Sequence, residues 1–151
     1  MGGKSVTERQ EIKEDIIEKL KNNYHNTVDD IILKIDPQLK GFVDFNKDPN
    51  GCIQRLNTVH KINVCSDVRK IGDKGICLEN NKKTLENLNG ELKSNETELN
   101  KIQGYLQNAQ LAEKTNLQRV INIYMSLNAI LKQNIQCINN ITEYISKKNY
   151  S

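Results

Sequence analysis

Apolar side chains recur along this chain at three- and four-residue steps, the period of a helix with one buried face. Ile12, Ile16, Ile17, Leu20, Tyr24, Val28, Ile31, Ile32 and Ile35 form the first stripe. Thr7 with Gln10 reads as a capping box at its start, and Glu8 and Glu11 suit the positive end of the helix dipole. Asp36-Pro37 ends it, because proline restrains the residue before it and has no backbone donor. The pattern predicts a helix over 8–35, followed by a connection over 36–48 that carries Leu39, Phe42, Val43 and Phe45. Asp48 caps a second helix, with Pro49 at its first position. Cys52, Ile53, Leu56, Val59, Cys65 and Val68 supply its buried face over 50–70, and Gly72 and Gly75 bracket the turn after it.

Beyond Cys77 the period shifts towards seven. Leu78, Leu85, Leu92, Leu99 and Leu106 recur once per heptad, with Leu88, Ile102 and Ala109 at the alternate positions and Asn81 and Asn95 in the remaining slots. This predicts a coiled-coil-like helix over 76–109, in which Gly90 marks a candidate kink. A fourth helix over 116–147 follows from Leu117, Val120, Ile121, Tyr124, Leu127, Leu131, Ile135, Ile138, Ile141 and Ile145, with Thr115 and Gln118 as its capping box. Four such stripes on short connections predict an all-α fold, a four-helix up-down bundle with unequal helices. It fills residues 8–148 as a single domain after a disordered start or tag remnant at 1–7. The third and fourth helices are longest, so a tip around residues 104–116 projects. The heptad run packs within the chain against the fourth stripe, and a monomer is expected.

Composition agrees with this picture and narrows the partners. The chain has 151 residues, 36% hydrophobic and 27% charged, a balance that folds rather than stays disordered. Asparagine makes up roughly a seventh of it, a codon-bias signature without mechanistic content. The net charge is +3. Its densest basic positions, Arg69, Lys70, Lys74, Lys82 and Lys83, are diluted by Asp67, Asp73 and Glu79, so no basic stripe exists to recommend nucleic acid. No apolar run approaches the ~20 residues that span a bilayer.

Cys52, Cys65, Cys77 and Cys137 form an even set outside any CxxC pattern, which disfavours zinc and thioredoxin-like chemistry. Placed on one helix, Cys52 and Cys65 are roughly 20 Å apart and cannot pair. Cys65 and Cys77 flank the glycine turn, and counting helical rise leaves Cys137 level with Cys52. The expected bridges are Cys65–Cys77 and Cys52–Cys137, bracing the bundle in an oxidising compartment. Asn95-Glu96-Thr97, Asn140-Ile141-Thr142 and Asn149-Tyr150-Ser151 are glycosylation sequons, though this much asparagine creates such triplets by chance.

Candidate chemistry is sparse. Asp44-Phe45-Asn46-Lys47-Asp48 begins like a calcium loop, but Pro49 and Arg55 stand where that loop needs Gly and Glu. His25 and His60 fall on different helices with no evident partner, and no nucleophile elbow, phosphate loop or HExxH is present. The expectation is a non-enzymatic protein with no cofactor and no metal site. It is read as secreted, its signal peptide already removed, and as binding a protein or other extracellular macromolecule. In kind it resembles the helical effectors and inhibitors of insect saliva and venom, without a shared motif. Phe42 and Phe45 are the candidate partner contacts. The alternatives are an intracellular adaptor with reduced cysteines and a carrier of a small apolar ligand.

Overall fold

The computed structural model describes residue 18, residues 28–68 and residues 71–148. Among these residues helix dominates and no strand occurs. The helices in chain order are α1 (Val28–Lys40), α2 (Pro49–Thr58), α3 (Ile71–Leu106) and α4 (Leu111–Lys147). The expected disordered start at 1–7 and most of the helix expected from residue 8 lie outside the described residues, His25 included; Glu18 is helical.

All four helices have boundaries that differ from those the pattern predicted. α1 runs through Pro37 to Lys40 instead of stopping at Asp36. Pro37 is exposed, and so is Leu33, whose carbonyl loses its helical partner to the proline. On this exposed side of the helix, water can take the place of the missing donor. α3 starts at Ile71, with Gly72 and Gly75 inside its first turns rather than in a loop, and it continues unbroken through Gly90. A side chain at any of these three glycines would meet open space. α4 starts at Leu111, ahead of the Thr115 box, with Glu113 in its first turn favouring the helix dipole.

The largest difference is α2, which ends at Thr58 and not near residue 70. Its last residues, Asn57 and Thr58, and the C-cap Val59 are weak helix formers. Lys61 then takes a left-handed φ of 56°. The Ile62 N–H returns to the Leu56 carbonyl at 2.8 Å, and the Val59 and His60 N–H groups both reach Arg55 O. Beyond this turn the chain is non-helical as far as Val68, with Ile62 and Val64 turned inward and Lys61 and Asn63 outward. At its other end α2 behaves as expected. Asp48 accepts from the Gly51 N–H at 3.0 Å, and Pro49 occupies the first position. A Cβ on Gly51 would stand 2.8 Å from the Asp48 carboxyl carbon and 3.2 Å from Val43 Cγ1, so only glycine leaves room for this cap.

The chain packs as two compact units. One takes α1 as far as Leu39 together with Lys93–Asn128. Its core gathers Ile31 and Ile35 with Ile102, Leu117, Val120, Ile121 and Tyr124. The other takes Lys40–Leu92 and the chain from Ala129 onward. Its core joins Cys52 and Leu56 with Cys77, Leu88, Leu131, Cys137, Ile138, Ile141 and Ile145. Along α3 the deeply buried line is Cys77, Asn81, Leu88, Asn95 and Ile102, while the heptad leucines Leu78, Leu85, Leu92, Leu99 and Leu106 are half-buried beside it.

Candidate functional site

In the second unit two cysteine pairs stand at disulfide distance. Cys52 of α2 faces Cys137 of α4, with Cα atoms 6.3 Å apart, and Cys65 faces Cys77 of α3 at 5.4 Å. These are the pairs selected by residue spacing, although one premise fails, since Cys65 does not share a helix with Cys52. The non-helical segment around Cys65 has no ladder or helix to satisfy its backbone. Asn81, one turn beyond Cys77 and fully buried, supplies both partners. Its Oδ1 accepts from the Cys65 N–H at 2.9 Å and its Nδ2 donates to the Cys65 carbonyl at 2.8 Å. The same unit is tied at its end by Lys74, whose ammonium donates to the carbonyls of Ser146 (2.8 Å) and Lys148 (3.3 Å) at the C-terminus of α4.

That framework carries an open hollow of about 400 Å³ whose lining includes Phe45, Asn46, Asn140, Glu143 and Tyr144. The rings of Phe45 and Tyr144 meet edge to face, with centroids 6.3 Å apart. Tyr144 is 55% exposed, and the Lys148 ammonium lies 5.7 Å from its ring centre. Lys147 holds the Glu143 carboxyl below its usual range, first by a hydrogen bond and then by its charge. Of the two expected contact residues, Phe45 is half-buried against its unit's core while Phe42 is exposed at 36%.

The first unit carries a separate, wider groove of about 730 Å³ at the turn between α3 and α4. Leu106, Gln107, Thr115, Gln118 and Asn122 line it with two charged side chains, Lys114 and Arg119, both cationic. Leu111, at the start of α4, is 83% exposed. Four residues connect the two helices, and the turn is closed by Asn108 N–H to Tyr105 O and Ala109 N–H to Leu106 O. The groove starts in the region 104–116, expected as a tip from the helix lengths, and extends along α4 to Asn122.

The run from Asp44 to Asp48 and His60 lie among the described residues, and His25 does not. Asp44 Oδ1 accepts from the Asn46 N–H at 3.0 Å, building the turn before α2, and Asp48 is the cap described above. His60 is half-buried beside Arg55, and His60 Nε2 and Arg55 Nε and Nη2 are enclosed without a hydrogen-bond partner. Burial, then the Arg55 charge, pushes the His60 pKa down to about 4. An imidazole so shifted is neutral near pH 7 and far from the pKa that suits general acid–base work there.

A stability consequence follows. In the unfolded chain His60 takes up its proton at the ordinary pKa of about 6.5, while in the folded protein it resists until about 4. Stability is therefore fully present above pH 6.5 and is lost as pH falls from there to about 4. The loss should be on the order of 1–2 kcal/mol once solvent screening of a part-exposed ring is allowed for. Urea titrations at pH 7 and pH 4.5 on wild type and His60→Gln check it. The variant should lose less than wild type across that interval, and equal losses would remove His60 from the account.

Compared with protein-family models, with curated proteins and with solved structures, the chain matches none. No helix among the described residues is long and apolar enough to cross a membrane.

Proposed function

We propose that this protein works without catalysis, as a secreted, disulfide-braced monomer that binds another extracellular protein through an acidic surface of that partner. The observation that carries this reading is the groove at the α3–α4 turn. Both of its charged lining residues are cationic, and an exposed leucine stands at the start of the adjoining helix. Positive potential steers an acidic partner and fixes register, while the apolar contact holds it. Two cysteine pairs at disulfide distance support an oxidising compartment, and we take secretion from them. Of the two phenylalanines, Phe42 is kept as an outlying contact, and Phe45 is assigned to packing. We also read the four helices as alternating up and down, in keeping with the four-residue connection of α3 to α4.

Screening the oxidised protein against an array of purified extracellular proteins, with Lys114→Glu/Arg119→Glu in parallel, tests the reading. The expected result is a salt-sensitive partner whose Kd rises at least about tenfold in the variant, a change worth ~1.4 kcal/mol, at unchanged melting temperature. A partner bound equally well by both proteins would remove the groove from the account. Substrate turnover that survives purification would end the binding hypothesis itself.

A further inference from the structure

We infer that Asn140 carries an N-linked glycan whose first sugar packs into the hollow formed by Phe45 and Tyr144. The inference rests on the secreted reading above, and the structure separates the sequons that composition could not rank. Asn95 is 5% exposed within the core of its unit, where a sugar on its amide has no room. Asn149 lies outside the described residues. Asn140 instead lines the open hollow, one helical turn before Tyr144 on the same face of α4. The hollow has what a sugar ring needs: an aromatic wall of Phe45 and Tyr144 for its C–H side, and amide, ammonium and carboxylate groups from Asn46, Lys147 and Glu143 for its hydroxyls. Its volume of about 400 Å³ is that of a small-ligand site. Tyr144, exposed at 55%, is the ring the sugar would cover.

The attachment is a group transfer in the secretory lumen. The Asn140 amide nitrogen attacks the anomeric carbon of a lipid-diphosphate-linked oligosaccharide. A C–N bond forms, the C–O bond to the diphosphate breaks, and the amide proton leaves with the diphosphate. In the folded chain Thr142 Oγ1 donates to the Ile138 carbonyl at 2.8 Å and the sequon is wound into α4. Transfer therefore precedes folding, and the sugar settles into the hollow as the helix forms.

The full chain expressed behind a secretory leader in eukaryotic cells provides the test, by intact mass and by peptide mapping after enzymatic deglycosylation. Expected are a glycan on Asn140, none on Asn95, and loss of the Asn140 glycan in Thr142→Val and in Asn140→Gln. The glycosylated protein should melt about 2–4 °C above its deglycosylated form, and Tyr144→Ala should abolish that gain while keeping the glycan. Secreted, bridged protein with an unmodified Asn140 overturns the inference and leaves the binding reading intact. Protein retained in the cell with four free thiols overturns both. A glycan present without any Tyr144-dependent gain overturns the packing.

Discussion

Replacing Cys52 and Cys137 together by alanine should lower the unfolding free energy by about 4–5 kcal/mol, the larger of the two bridge effects. The bridge spans a sequence separation of 85 and joins α2 to α4 inside one core. Most of its contribution lies in the unfolded chain, whose ends it prevents from separating, and that contribution grows with the logarithm of loop length. The Cys65–Cys77 bridge spans only 12 residues and is expected to contribute about 3 kcal/mol in the same model. Domains of this size are stable by about 5–15 kcal/mol in all, so losing the long bridge removes a large share of the total. Equilibrium urea unfolding of both double variants measures the effect. The denaturant dependence should also steepen, because an unlinked unfolded chain exposes more surface. A loss below about 1 kcal/mol for the long bridge, or a larger loss for the short one, would overturn this account.

The helices were legible because burial has a period. Ile138, Ile141 and Ile145 of α4, spaced by three and four, are all fully buried, and a sequence announces such a stripe without help from its neighbours. The end of α2 was not legible. Cys65 and Val68 continue the helical spacing of Leu56 on paper, and no glycine marks the stop. What ends the helix is a local turn of hydrogen bonds around Lys61, which takes a left-handed φ, after which Ile62 and Val64 face inward while Lys61 and Asn63 face outward. Cys65 precedes α3 and Cys77 lies near the start of that helix whether α2 ends at Thr58 or near residue 70, so the expected pairs stand at disulfide distance all the same. The groove was half legible, since unequal helix lengths pointed to residues 104–116 but not to which side chains line it. The hollow was not legible at all. It depends on where a loop carrying Phe45 meets the end of α4, a register that no local pattern encodes.

Asn81 stands at the boundary between what could and could not be read, and its substitution is the second large effect. The heptad placed an amide at a core position, where asparagine costs stability unless it is fully satisfied. Its partner was hidden, because a helical Cys65 would have satisfied its own N–H and carbonyl. In the structure that backbone depends on Asn81 for both. Asn81→Ala leaves a part-buried donor and a part-buried acceptor without partners, each costing about 1–3 kcal/mol. A net loss of about 2–4 kcal/mol follows, since the Cys65 segment retains some access to water. Asn81→Asp discriminates further. Its carboxylate can still accept from the Cys65 N–H but meets the Cys65 carbonyl with like charge in a buried site, so at pH 7 it should be worse than alanine. Protonation restores a donor to that carbonyl, so the gap between Asn81→Asp and wild type should narrow as pH falls. Measuring that gap at each pH cancels the His60 contribution, which both proteins share. An alanine variant within about 0.5 kcal/mol of wild type, or an aspartate gap that widens on acidification, would show that the Cys65 backbone is satisfied by something other than this amide.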